Sequence, residues 1–169
     1  MKKKYLLFVL LITSFAVSQE KKDTIFGWNA KGQIAFLLNQ SSFSNWTSGG
    51  DNAVAVNMSV NYDFNYKKEN LNWDNKIITS YGLSYTTNQG YRKTNDNFEY
   101  NSLLGLKSKN YWFFSFFLNF KTQYSRGYDY SKTPKIATSD LFSPAYVSLG
   151  PGMLWKKSDN LRINIAPAT

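Results

Sequence analysis

The chain has 169 residues and a formal net charge of +9, enough for one domain. Lys2, Lys3 and Lys4 hold three of its 20 Lys+Arg, so the chain beyond residue 18 has 17 against 11 Asp+Glu, or +6, dispersed and not blocked, which argues against a nucleic-acid partner. Cysteine and histidine are absent, which excludes disulfides, Ser/His triads and the usual zinc sites, while aromatic residues at 18 % match the charged residues and suit a rich core or a lipid-facing surface.

Residues 1–18 read as a cleaved signal peptide. Lys2–Lys4 precede an apolar stretch, Tyr5–Val17, and Ala16-Val17-Ser18 is a small-x-small site before Gln19. The stretch is short of the roughly 20 residues a helical span needs. Residues 19–27 form an N-terminal tail, and 28–169 the folded domain. Trp28–Asn39 is an amphipathic strand with weak alternation. The loop Gln40–Asp51 after it contains Asn45, Trp46, Gly49 and Gly50, a candidate motif whose glycines fit a bulge or tight turn better than a binding loop.

The strongest pattern is period two. Val54, Val56, Met58, Val60, Tyr62, Phe64 and Tyr66 alternate with Ala55, Asn57, Ser59, Asn61, Asp63 and Asn65, so one face of the strand is apolar and the other polar. After the polar turn Lys67–Asn70, odd-numbered Leu71, Trp73, Ile77, Tyr81, Leu83 and Tyr85 form the apolar row of the next strand, interrupted at Asn75 and Thr79. The two apolar rows are expected on one face of a hairpin. A loop Thr87–Asn95 leads to the strand Asp96–Lys107, followed by Tyr111–Tyr124. The loop Ser125–Pro144 comes next, then strands Ala145–Trp155 and Leu161–Ala166.

About seven antiparallel strands in an up-and-down meander give an all-β fold. The short connections, Lys67–Asn70, Ser108–Asn110 and Lys156–Asn160, fall at one end, and the longer ones, Gln40–Asp51, Thr87–Asn95 and Ser125–Pro144, at the other. Outer-membrane β-barrels have that asymmetry, and Tyr62, Phe64, Tyr66 and Trp73 at one end with Tyr81 and Tyr85 at the other would form interfacial girdles. On this reading Asp63, Asp74, Lys76, Glu99, Lys107, Lys121 and Arg162 face the barrel interior, where opposite charges pair and plug it. The clusters Arg92–Asp96 and Arg126–Tyr130 read as solvated loop ends. No cofactor, metal site or catalytic set is expected, and the protein is not read as an enzyme.

Asn45-Trp46-x-x-Gly49-Gly50, Trp73-Asp74-Asn75, Tyr81-Gly82-Leu83, Arg92-Lys93-Thr94-x-Asp96, Asn119-Phe120-Lys121-Thr122-Gln123, Gly127-Tyr128 and Ser143-Pro144-Ala145-Tyr146 carry a resemblance. With these motifs in order, residues 28–169 resemble a Bacteroidota family of exported proteins labelled only as a domain of unknown function, number 3078. The resemblance implies an outer-membrane-like β-barrel and no established activity. Such proteins resemble longer barrels, and an odd strand count ending at Ala166-Pro167-Ala168-Thr169 reads as a fragment lacking its C-terminal strands. This chain alone is then expected to be an open, curved sheet with Trp28–Asn39 and Leu161–Ala166 as its edges. The expected role is an outer-membrane barrel, as pore, transporter or structural element, with membrane lipid as its partner. The alternative is a periplasmic soluble β-barrel holding an apolar small molecule.

Overall fold

The computed structural model describes residues 26–44, 50–158 and 160–166. The proposed signal peptide and nearly all of the tail lie outside them, although Gly27 already belongs to the first strand. Among the described residues nine strands follow in chain order: β1 (Gly27–Ser41), β2 (Ala53–Lys68), β3 (Leu71–Thr86), β4 (Gly90–Lys107), β5 (Trp112–Thr122), β6 (Gly127–Asp129), β7 (Ile136–Ser139), β8 (Tyr146–Lys156) and β9 (Arg162–Ile165). Seven of them make one antiparallel sheet in the order β1-β2-β3-β4-β5-β8-β9, and β6 pairs with β7 as a separate hairpin. The all-β meander is as expected. The sheet is open, with β1 and β9 as its edges.

The register answers the hairpin expectation. Val54 pairs with Tyr85, Val56 with Leu83, Met58 with Tyr81, Tyr62 with Ile77 and Tyr66 with Trp73, so the two apolar rows share one face. The same face continues outward through Trp28, Ile34, Phe36 and Leu38 of β1, and through Leu106, Phe114, Phe116, Leu149 and Met153 across β4, β5 and β8.

Two loop expectations need correction. Thr87–Asn95 is a tight turn of Thr87–Gln89, with Gly90 at a φ of +69° and β4 starting there. A left-handed φ costs glycine nothing, which lets the chain reverse at once. The polar run Arg92–Asn95 hides this strand from a pattern search, and a register shift between Gly82 and Leu83, opposite Lys93–Asn95, breaks the alternation. Ser125–Pro144 contains the β6–β7 hairpin, whose strands of 3 and 4 residues are too short to show a period. The asymmetry between the ends therefore rests on two long connections, 42–52 and 123–145, and not three.

The sheet is sharply curved. Arg162 on β9 reaches Asp74 on β3 at 2.8 Å, although four inter-strand steps, roughly 19 Å along a flat sheet, separate these strands. Side chains converge like this only on a concave face. Small residues permit the curl: Gly105 of β4 pairs with Ser115 of β5, which pairs with Gly152 of β8. A Cβ on Gly152 would lie 2.5 Å from the Ile165 carbonyl oxygen and 3.1 Å from Ser115 Oγ, so a side chain there would push β9 away.

Curvature decides what is buried. Among the described residues the buried hydrophobic side chains are Phe113 and Leu154, cross-strand partners on the concave face. Asn72, Asn75, Ser115 and Thr122 are buried polar residues. The convex apolar face is open, with Ile34 at 73 % and Phe114 at 61 % exposure.

Candidate functional site: the concave groove

Strand alternation puts Lys31, Asp63, Asn65, Asp74, Lys76, Asn101, Lys156 and Arg162 on the concave side, because each pairs with, or lies two residues from, another member of the polar rows. Asp63 and Asp74 organise them. Asp63 has Lys31 at 3.9 Å and Lys76 at 4.0 Å. Asp74 accepts a hydrogen bond from Arg162 at 2.8 Å and has Lys156 at 4.0 Å. The Arg162 and Lys76 side chains are about half exposed, at 52 % and 44 %, so solvent weakens each pair individually.

Next to these pairs lies a cavity of about 460 Å³ walled by Asp63, Asp74, Lys76, Arg162 and the amides of Asn65, Asn101 and Asn164. Leu103, Phe117 and Leu154 form its apolar floor. Asn164 accepts the Ser115 hydroxyl proton at 2.8 Å, and Asn65 Oδ1 accepts the Asn75 backbone N–H at 2.9 Å. Further along, Glu99 accepts from Asn101 at 3.0 Å and from Asn119 at 3.1 Å.

The structure thus brings Asp63, Asp74, Lys76 and Arg162 together and gathers Glu99 into an amide network on the same face. Lys107 and Lys121 are exposed toward opposite ends of β4 and β5 and do not join the cavity. Sequence reasoning missed Lys31 and Lys156. Lys31 sits where β1 alternates weakly, and Lys156 read as the first residue of a turn although it closes β8 opposite Arg162. The recurrence of Asn57, Asn61 and Asn65 with Asp63 marked the polar row, but no local pattern shows which distant strand it meets.

Of the loop motif, Asn45, Trp46 and Gly49 lie outside the described residues. Gly50 is described, and a Cβ there would lie 2.9 Å from the nearest atom of the Phe43 ring.

The two charge clusters are not simple solvated loop ends. Lys93 pairs with Asp96 at 2.7 Å and donates to the Ser125 carbonyl at 2.7 Å, while Asp96 accepts the Tyr124 and Ser125 N–H groups at 2.8 and 3.0 Å. This ties the start of β4 to the chain leaving β5. Arg92 lies over the Tyr130 ring at 4.6 Å and Lys135 over Tyr128 at 4.4 Å, which pins the β6–β7 hairpin. In the same connection Arg126 contacts Asp140 at 2.6 Å, and the guanidinium hydrogen bond holds the Asp140 carboxyl below its usual value.

Polar residues on the convex face are also hydrogen-bonded. Asn75, which interrupts the apolar row of β3, is 1 % exposed. Its amide donates to the Phe64 carbonyl at 3.2 Å, and its oxygen accepts from Tyr100 Oη at 2.8 Å and Ser102 Oγ at 2.9 Å. Phe64 and Tyr100, stacked at 6.3 Å on the strands either side, roof it. Trp73 Nε1 donates to Ser102 Oγ at 2.8 Å, and Thr79 Oγ1 to the Asn97 carbonyl at 2.9 Å. Trp28 joins Tyr66 and Trp73 at 5.1 and 5.7 Å near the short turns, and Tyr85 meets Tyr91 at 4.8 Å near the opposite end.

No helix among the described residues is long and apolar enough to cross a membrane, which says nothing of strands. Comparison with the curated proteins and with the solved structures finds no match. A family described as protein of unknown function (DUF3078) matches residues 38–128, from the end of β1 into β6. The match includes Asp63, Asp74 and Lys76 but stops short of Lys156 and Arg162. With more than half its length matched, the chain belongs to the DUF3078 family.

Proposed function

We propose that this chain forms the wall of an outer-membrane-type β-barrel, with its convex face toward lipid and its concave groove toward the interior. The observation that carries the proposal is the inversion of polarity: apolar rows lie exposed on the convex side, and ion pairs and amides lie in the concavity. A soluble barrel has the opposite arrangement. The convex rows expose on the order of 1,000 Å² of apolar surface, well above the few hundred common on soluble monomers.

The dimensions agree. Trp73 and Tyr85 lie on one row of β3, about 40 Å apart along the strand and about 30 Å in height at a 40° tilt. That is close to the apolar band of about 25 Å between aromatic girdles. The edges at β1 and β9 require pairing partners in hydrocarbon, from this chain or another. In this reading the protein is not an enzyme; it resides in the outer membrane after export and acts as a structural or pore-forming wall.

Spin labels placed singly from Val54 to Tyr66 in lipid vesicles test the proposal. Labels at Val56, Met58 and Val60 should be relaxed by lipid-dissolved oxygen, and those at Asn57, Ser59 and Asn61 by a water-soluble reagent. Even-numbered labels buried in a dry interior would instead indicate a soluble carrier of an apolar molecule.

A further inference from the structure

The charges that wall the concave groove stand apart and keep much of their hydrogen-bonding capacity. Lys76 Nζ lies 4.0 Å from Asp63 Oδ1, and Lys31 Nζ lies 3.9 Å from Asp63 Oδ2, both beyond hydrogen-bond reach. Among the described residues Asp63 accepts no hydrogen bond, and Asp74 accepts one, from Arg162 on Oδ2. Arg162 uses one of its guanidinium N–H groups there and keeps the rest. Asn65 and Asn164 accept with their oxygens, from the Asn75 N–H and the Ser115 hydroxyl, so their NH₂ groups remain to donate. Unspent acceptors and unspent donors therefore line one cavity side by side.

The wall also has no strong sign. Its four charges, Asp63, Asp74, Lys76 and Arg162, sum to zero. Of the cations behind it, the Lys31 side chain is 66 % exposed to solvent, and Lys156 has a further interaction besides Asp74. An ionic ligand would have to displace one partner of a standing pair. A hydroxyl would not, because it donates to the carboxylate and accepts from the cation. An oxygen about 2.8 Å from each group spans the gap between Lys76 and Asp63 at an angle of about 90°. The floor adds an apolar surface, Leu103, Phe117 and Leu154. Phe117 faces Gly150 across the β5–β8 ladder, so no side chain from that partner covers its ring. A flat ring below and mixed donors and acceptors around it suit a molecule with C–H groups on one face and hydroxyls on its rim.

We propose that this cavity binds a neutral polyhydroxylated molecule of sugar size, with hydroxyls between Asp63 and Lys76 and beside Asp74 and Arg162, and its C–H face on Phe117. The volume of about 460 Å³ is that of a small-ligand site. This site does not depend on what the convex face meets, so it can fail while the barrel-wall reading holds, and the reverse.

The test is titration of the full chain, in micelles of a sugar-free detergent, with glucose and with maltose, read by calorimetry and saturation-transfer NMR. Cyclohexanol, glycine and gluconate are the comparison ligands. Glucose or maltose should bind, and the affinity should change less than about twofold between low and high salt, because a neutral ligand has no charge to screen. Cyclohexanol, which keeps the C–H face and a single hydroxyl, should bind at least about tenfold more weakly. Asp63→Ala, which removes two free acceptors, should weaken sugar binding about three- to tenfold. Phe117→Leu keeps an apolar side chain for the fold but removes the ring, and should weaken it by a similar factor. Lys107→Gln, outside the cavity, should leave it unchanged. The proposal is overturned if neither sugar binds, or if cyclohexanol binds as well as they do. It is overturned equally if glycine or gluconate binds more tightly than glucose, which would make the site ionic, or if Asp63→Ala and Phe117→Leu both leave the affinity unchanged.

Discussion

The two faces of the sheet are built from the same strands, alternate residue by alternate residue, and they solve opposite problems. On the convex face apolar side chains diverge and stay exposed, and polar intruders such as Asn75 and Thr79 are bonded inside the protein. On the concave face charges converge, pair across distant strands and leave a cavity. A polar group on the convex face is hidden from its surroundings, whereas a polar group on the concave face is the surroundings. That difference is what a sheet with hydrocarbon outside and water inside requires.

The comparison breaks most sharply with a charge on either side of one peptide bond. Val60→Arg, mid-strand on the convex face, should destabilise the protein in vesicles by about 2–4 kcal/mol, while Asn61→Arg on the concave face should change stability by far less. Denaturant unfolding in lipid measures both. Equal effects would mean that lipid does not meet the convex row.

Asn75→Ala comes next. It removes the acceptor for Tyr100 and Ser102 under a roof of aromatic rings, and should cost about 1–3 kcal/mol. The same unfolding assay reads it, and a near-neutral result would show that water reaches this knot from outside.

This contrast was partly legible in the sequence. Period two assigned the faces of β2 and β3, because apolar and polar residues alternate strictly along β2 and with only three exceptions, Asn75, Ile78 and Thr79, along β3. It also singled out Asn75 and Thr79 as interruptions, but not their partners, which come from β2 and β4 for Asn75 and from β4 and beyond for Thr79. The groove was half legible: Asp63, Asp74, Lys76 and Arg162 were assigned one side, yet the Asp74–Arg162 contact joins residues 88 apart in the chain. It depends on curvature, which arises where Gly105, Ser115 and Gly152 line up, three small residues on three strands. No local pattern contains that information.

A smaller effect is expected at Gly32 on the edge strand. Its Cβ would lie 2.6 Å from Tyr62 Cδ2, because that ring covers it on the convex face. Gly32→Ala should cost about 1 kcal/mol, since the ring can swing outward. A change in tyrosine fluorescence without loss of the sheet would confirm the displacement, and an unchanged spectrum would count against it.

The smallest effect lies outside both faces, at Arg126–Asp140. The Asp140 carboxyl titrates below its ordinary value in the folded chain. The contact therefore adds stability above about pH 4 and loses it as the pH falls through the lowered value. Acidification should loosen the long connection, read as faster proteolysis at 123–145, before the strands respond. Arg126→Gln should remove that pH dependence.

The register shift at Gly82/Leu83 has a consequence for residue parity. Before it, the odd-numbered residues of β4 share the concave side; beyond it, counting toward the turn, the parity reverses, so that Tyr91 pairs with Tyr85 and Arg92 with Ser84. Tyr91 thereby joins the outer ring of aromatics, and Arg92 is turned toward Tyr130. One surplus residue acts as a phase corrector for the strand. Were Thr94 held in a regular ladder, Arg92 would fall opposite Tyr85, pointing a guanidinium at the side where a phenol now sits; deleting Thr94 would remove only the bulge and leave Arg92 opposite Ser84.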